Sequence, residues 1–406
     1  MRKGTAPLEG IKVLDVSRVL AGPWATMSLG DLGAEIWKIE NPDGGDESRT
    51  WKPPAYHGTA TYYLSINRNK QSLAIDFKTP RGREIIQELA RRCDIFVENY
   101  LPSTLKRYGL DYPSLAGLNP RIIYCSITGY GCTGAYAERA GYDFVIQAES
   151  GLMSITGEPD GRPQKFGLAI TDLIGGMNAT QAILAALYAR ERTGQGQFLD
   201  IALLDGAVAV LSSVASALLN AGTPAVRHGN MHPSIVPYQT FEAADGSFVL
   251  ACANNRQFKD LCSRVIEKPE LARDPRFATN PDRVQRRAVL IPLLSEAFAA
   301  MTVRTILSRC LAANVPAGAI RSVDQVLAAD EVRARGLVVS MLDRANREIR
   351  STGSPFHFSS TPVRAPSAPP DLGQDTAAVL RSVLGYSEAT IRELQEARVI
   401  YQAPPP

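Results

Sequence analysis

Residues Gly10–Glu40 read GIKVLDVSRVLAGPWATMSLGDLGAEIWKIE, and the way this stretch breaks up decides the fold. Gly10–Val16 is apolar and rich in β-branched residues, which predicts a buried strand. Ser17–Pro23 is a loop ending in Ala-Gly-Pro. Pro23 suits a first helical turn, where its missing N–H would have had no partner. Trp24–Leu32 predicts a short helix, Gly33 stops it, and Ala34–Glu40 is a second strand. Strand, helix and strand in so short a span make a βαβ unit with parallel strands and a right-handed crossover. Ala-Gly-Pro stands where a dinucleotide-binding unit carries G-x-G-x-x-G, which argues against dinucleotide binding there.

The alternation continues outward. Ser72–Phe77 is a strand, and a helix follows to about Arg92 with Thr79 as N-cap and Pro80 at N1. Cys93–Glu98 and Arg121–Ser126 are further strands, with a helix over Ser103–Tyr108 between them. Strands and helices trading places predict a doubly wound parallel α/β sheet. Gly129–Gly134 spells G-x-G-x-x-G literally, but the charged, glycine-broken run that follows opens no helix. The segment reads as a loop that lets backbone approach a ligand.

Between Gly161 and Ala189 there is one acidic residue, Asp172. It lies between the strand-like Phe166–Ile170 and a helix pattern with apolar residues at 173, 174, 177, 183, 184 and 187. A carboxylate at such a junction either caps the helix or serves a site at its mouth. Taken alone, the stretch favours the cap. A cap position would also keep the carboxylate ionised and aimed. Gln197–Leu203 is a strand and Gly206–Asn220 a long apolar helix.

Texture changes at Ala221–Pro237, a Gly/Pro-punctuated loop carrying His228 and His232. Tyr238–Phe241 and Phe248–Cys252 flank Asp245-Gly246, a hairpin signal. Helices are expected at about 255–266, 284–300 and 303–313, with a short strand over Ala317–Ser322. Strands at about 337–342 and 348–351 come next, then the extended Pro-rich connector Thr361–Gly373. Two helices (about 375–384 and 387–397) precede a tail, Ala403–Pro406, expected to fray. The expected division is a large domain over 1–224, a smaller α+β domain over 225–325, and 326–406 completing the large one.

Composition excludes several function classes. Forty-four basic against 41 acidic residues leave a net charge of +3, too balanced for a nucleic-acid or membrane surface. Six cysteines (93, 125, 132, 252, 262, 310) form no C-x-x-C, so neither a zinc knuckle nor a disulfide framework is expected. No metal is expected from the four histidines, which make no H-E-x-x-H. No apolar run reaches membrane-spanning length, and the first strand by Ile11 leaves no room for a targeting peptide. A cytoplasmic protein is expected.

Several blocks, none specific alone, are distinctive as an ordered set: Leu8–Asp15, Ala21–Pro23, Gly33–Glu40, Asn67–Ser72, Val97–Tyr100, Ser126–Gly131, Ala140–Asp143, Thr171-Asp172 and Thr193–Gln197. Together they resemble the class III CoA-transferases (CaiB/BaiF family) over roughly residues 8–400. Arg18–Pro23, Tyr63–Lys70, Ile123–Tyr130 and Ser234–Gln239 are similar to the succinyl-CoA:glutarate (dicarboxylate) branch. The resemblance implies an interlocked homodimer, a Rossmann-like large domain built from both chain ends, and a small middle domain. It implies CoA transfer from an acyl-CoA donor to a carboxylic acid, CoA being substrate with no tightly bound cofactor. Asp172 falls on the family's catalytic aspartate. CoA contacts carry over to Val19, Ala21, Ile75, Lys78, Asn99, Arg107, Tyr108 and Tyr142. A dicarboxylate acceptor needs a cation for its distal end. Arg18, Arg139 and His232 are the candidates. Glycines of the 129–134 and 229–234 loops are candidate backbone donors to oxyanions.

Departures from the family pattern carry information too. Leu20, Asn41 and Ala140 replace a glutamine, an arginine and a lysine of the formyl-CoA branch, which argues against formate or oxalate as substrate. Tyr142, thirty residues upstream of Asp172, stands where the related α-methylacyl-CoA racemases have histidine. That argues against proton abstraction next to the thioester.

Overall fold

The computed structural model describes residues 5–404. The chain divides into two compact units, Met1–Leu152 with Lys165–Ser216 and Asp330–Pro406, and Met153–Gln164 with Ala217–Ala329.

The first unit is built on a seven-stranded sheet. Its strands are β1 (Lys12–Asp15), β2 (Glu35–Glu40), β3 (Lys70–Ile75), β4 (Ile95–Glu98), β5 (Ile123–Thr128), β6 (Gln197–Ala202) and β7 (Ile400–Tyr401). Their order across the sheet is β7-β3-β2-β1-β4-β5-β6. All neighbours are parallel except β7, which runs antiparallel to β3 with Ile400 opposite Ile75. Order 3-2-1-4-5-6 is that of dinucleotide-binding folds, and it reverses between β1 and β4. In such sheets the crevice beyond the carboxyl ends of the strands at the reversal is the natural ligand site.

The uninterrupted apolar runs of the sequence correspond to strands covered on both faces. Successive residues point to opposite sides. Leu14, Trp37 and Phe96 therefore join one core with Ile85 and Leu89, while Val13, Ile36 and Val97 join the other with Leu29 and Ile183. Val379 and Leu380, from the helix Thr376–Leu384, complete the first core.

Four helices matter for the site: α1 (Ala21–Asp31), α2 (Pro80–Ala90), α3 (Asp143–Glu149) and α4 (Ile170–Thr193). Thr79 caps α2 by accepting from Gly82 N at 3.0 Å. Helices α1 and α4 meet where only glycine fits, since a Cβ on Gly176 would sit 2.7 Å from the Ala21 carbonyl oxygen. The Pro-rich segment is an extended strap, with Arg364 N on Asp31 O and Ser367 N on Asn69 Oδ1. The expectation of a frayed tail is corrected in part. Ala403 is buried and donates to Gly373 O, and Pro404 O accepts from Arg344, while 405–406 lie outside the described residues.

The second unit holds a three-stranded antiparallel sheet. Strands Tyr238–Ala243 and Gly246–Ala251 pair as a hairpin, and Ala317–Ala319 adds to the latter. Phe241 and Phe248 stack at its core, and Phe298 meets both edge-on. Among the described residues no single helix is long and apolar enough to cross a membrane.

Candidate active site

A cavity of about 240 Å³ lies in the first unit beyond β1, β4 and β5. Four chain segments wall it: the loop Arg18–Ala21, Asn99–Leu101 after β4, Ile127–Gly129 at the end of β5, and Arg139–Tyr142 before α3. Asp172 and Leu203 complete it, and among the described residues Asp172 is its only carboxylate.

Local sequence explains how these segments converge. Asn99 clasps Arg18 on both sides, accepting from Arg18 N at 2.8 Å and donating to Arg18 O at 2.6 Å. That ties the loop after β1 to the loop after β4. Gly129 and Gly141 cross backbone to backbone; a Cβ on either would lie 2.6–2.7 Å from the other's Cα. Two glycines are what allow Tyr142 to swing over the end of β5.

Asp172 does not cap its helix. Helix α4 begins at Ile170 after Ala169, so Asp172 lies within its first turn. Among the described residues no hydrogen bond reaches its carboxylate. Instead of being held ionised, the half-buried group is pushed up from 3.8 to about 7 by burial and then by the like charge of Asp143. Asp143 is itself tightly held. Its Oδ1 accepts from both Thr171 N and Thr171 Oγ1 at 2.8 Å, and its Oδ2 accepts from Gln147 Nε2 at 2.7 Å. It thereby fixes the residue adjacent to Asp172 and supplies the charge that raises it. Asp172 and Asp143 in turn act on Tyr62, whose phenol is pushed up to about 12 by burial and by these two carboxylates.

The remaining expected residues separate clearly. Val19, Ala21, Asn99 and Tyr142 line the Asp172 cavity. Ile75, Lys78 and Tyr108 line a second cavity of about 290 Å³, bounded also by Asn41, Asp43 and Glu47. Arg18 and Tyr100 line both, so the two cavities adjoin there, the Arg18 guanidinium 4.3 Å from the Tyr100 ring centre. Arg107 is exposed and lines neither cavity.

Of the three candidate acceptor cations, Arg139 lines the Asp172 cavity but makes two hydrogen bonds to Glu149. Arg18 pairs with Glu47 through Nη1, while its buried Nε has no hydrogen-bond partner among the described residues. His232 belongs to the second unit, where its Nδ1 accepts from Ser234 N at 3.0 Å and its ring lies 5.3 Å from Tyr238. The 229–234 loop is likewise part of that unit.

The glycine-loop expectation for oxyanion donors also changes. Gly131 N donates to Thr128 Oγ1 and Cys132 N to Asp200, so those N–H groups are committed. Leu20 and Ala21 offer an alternative. They border the cavity at the N-terminus of α1, where first-turn N–H groups have no intrahelical partner. A carboxylate nucleophile beside such donors suits acyl transfer.

Sequence reasoning missed Asp143 and Tyr62. Asp143 ends the quoted Ala140–Asp143 block, but only its position against Thr171 reveals what it does. Tyr62 carried no signal.

A sequence profile described as CoA-transferase family III matches residues 8–376. A human protein named succinyl-CoA:glutarate CoA-transferase is 46% identical over 396 residues, 98% of this chain and 90% of the human one. A succinate–glutarate CoA-transferase of Agrobacterium fabrum is 43% identical over 380 residues, 92% of this chain and 95% of that protein. The crystal structure of a CAIB/BAIF family protein from Brucella suis matches with a TM-score of 0.83 at 43% identity, covering 94% of this chain and 100% of that one.

Proposed function

The chain belongs to CoA-transferase family III and is a CoA-transferase, and from that premise we propose that it moves CoA from succinyl-CoA to glutarate or a related dicarboxylate, with Asp172 as nucleophile. The observation that carries the mechanism is the placement of Asp172, the only carboxylate among the described residues that line it, in a cavity bordered by a helix N-terminus.

An Asp172 oxygen attacks the thioester carbonyl, the C–S bond breaks, and a mixed anhydride and CoA thiolate result. The thiolate then attacks the Asp172 carbonyl carbon, expelling the donor acid as its carboxylate and leaving an aspartyl-CoA thioester. The acceptor carboxylate attacks that thioester to give a second anhydride. Returning thiolate takes the acceptor's acyl group and frees Asp172. No step needs an outside proton, and thioester energy is kept throughout.

The CoA chain is assigned to the two adjoining cavities. The thioester lies by Asp172, with Val19, Ala21, Asn99 and Tyr142 around it. The nucleotide lies toward Ile75, Lys78 and Tyr108, where Lys78 suits a phosphate. Arg18, which lines both cavities at their junction, is the favoured partner for the acceptor's distal carboxylate. Arg139 is less favoured because its guanidinium is already paired with Glu149, and His232 because it is not among the residues that line the Asp172 cavity. Exposed apolar side chains of the first unit (Phe144, Leu168, Met177, Val208) support association with a second copy, as the interlocked homodimer requires.

Turnover with succinyl-CoA followed by hydroxylamine or borohydride is expected to mark Asp172 in a peptide map. Unmodified Asp172 during turnover would rule out the covalent route. Initial rates with glutarate, malate, itaconate and carnitine test the acceptor class, and preference for carnitine or a monocarboxylate removes the dicarboxylate assignment.

A further inference from the structure

Four fully buried charged side chains lie directly behind the loop that carries Val19. Lys38 on β2 pairs with Asp46 at 2.8 Å, and Lys70 on β3 pairs with Asp15 at 3.1 Å; all four have 0% side-chain exposure. Burying two ion pairs is costly unless hydrogen bonds complete them, and such pairs are weak evidence of stabilisation alone. Here the spare hydrogen-bonding capacity goes to the active-site loop. Lys38 Nζ donates to Ser17 O at 3.0 Å. Asp46 Oδ1 accepts from Val19 N at 3.3 Å, and Asp15 Oδ1 accepts from Ser17 N at 3.0 Å. Lys70 Nζ donates to Pro23 O at 2.9 Å, in the first turn of α1.

What this machinery holds is strained. Val19 has φ +68°, a left-handed conformation that a β-branched residue resists. It immediately precedes the N-terminus of α1, where Leu20 and Ala21 line the Asp172 cavity. We propose that the buried Lys38–Asp46 pair is a positioning device for the transfer reaction: it clamps Ser17–Val19, holding Val19 left-handed so that the start of α1 faces Asp172. Lys38 touches no substrate and acts through the loop. This assignment rests on the transferase reading above.

Three variants test it. Lys38→Met is expected to lose about a hundred-fold in kcat for succinyl-CoA with glutarate, the scale of a misplacement of about 1 Å, with KM for succinyl-CoA nearly unchanged. It also strands the Asp46 charge and lowers the thermal midpoint. Lys38→Met with Asp46→Asn removes that stranded charge while keeping the acceptor for Val19 N, so the midpoint is expected to recover and kcat not. Lys38→Met with Val19→Gly is expected to regain about ten-fold in kcat, because glycine takes the left-handed conformation without penalty. Recovery of kcat together with the midpoint in the first double variant overturns the proposal, since Lys38 would then only balance charge. A glycine variant no better than Lys38→Met overturns it too. Backbone amide exchange in the peptide spanning 16–24, measured without substrate, is expected to quicken in Lys38→Met, and unchanged exchange refutes the clamp. If the unaltered protein fails to transfer CoA, the transferase reading falls, while the exchange result still decides the clamp.

Discussion

Replacing Asp172 by Asn is expected to abolish transfer and to make the protein more stable above neutral pH. The folded carboxyl is raised to about 7 from 3.8, first by burial and then by Asp143. A folded value above the unfolded one means that the folded protein holds this proton more tightly than the unfolded chain does. The group's contribution is therefore fully favourable below pH 3.8 and is lost as pH rises through about 7. Asparagine has no such dependence. Each pH unit between the two values is worth about 1.4 kcal/mol. From about pH 5.5 to about pH 8.5 the parent protein should thus lose about 2 kcal/mol, at most, relative to Asp172→Asn. Urea denaturation of both proteins at the two pH values measures this, with an unchanged m-value showing that the unfolded reference is the same. Other titrating groups are common to both proteins and cancel in the difference. A stability gap constant across that range, or one that narrows with rising pH, refutes the raised carboxyl and with it the electrostatic account of the site.

Asp143→Asn keeps an acceptor for Thr171 but removes the like charge, so the acid limb of kcat/KM is expected to move to lower pH; an unmoved limb refutes the coupling. Lys78→Met should raise KM for succinyl-CoA about five-fold, equivalent to about 1 kcal/mol for an exposed charge contact, with the loss shrinking in added salt. Arg107→Ala, whose side chain lines neither cavity, should leave KM unchanged, and the reverse ranking would remove the nucleotide end of the assignment.

Much of the sheet was legible because its strands are buried on both faces. Runs such as Ile11–Val16 and Cys93–Glu98 suit a covered parallel strand, and the helix Pro80–Ala90 between them carries its own cap in Thr79. Strand β7 was not legible: two residues pair with Ala74 and Ile75 across more than 300 positions, and nothing local marks them. The start of α4 was misplaced because Asp172 resembles a cap, whereas Thr171 is tied sideways to Asp143 and the helix begins two residues earlier than the carboxylate. The resemblance marked Asp172, but its state depends on a neighbour in space. That Lys38 and Lys70 are both buried and hold the 17–23 loop appears only when β1, β2 and β3 are side by side.

The raised carboxyl bears on the direction of the proposed reaction, not only its rate. In the first anhydride, Asp172 and the donor acid share one oxygen, and the thiolate can attack either carbonyl. Attack on the donor's carbonyl expels Asp172 and restores the starting thioester; attack on the Asp172 carbonyl expels the donor acid and goes forward. The weaker base is the better leaving group. A solvated carboxylic acid titrates at about 4, whereas Asp172 is held at about 7, so the donor acid departs more readily and the anhydride is biased forward. Burial and Asp143 therefore do two things at once, making Asp172 a stronger nucleophile and a poorer leaving group, at the cost of half its ionisation near neutrality. The same reasoning fixes an observable. At about pH 8.5, where Asp172 is ionised with or without Asp143, Asp143→Asn should slow exchange of labelled succinate into succinyl-CoA, since that exchange requires passage to the aspartyl thioester. Exchange as fast as in the parent protein would show that the Asp143 charge does not steer the anhydride.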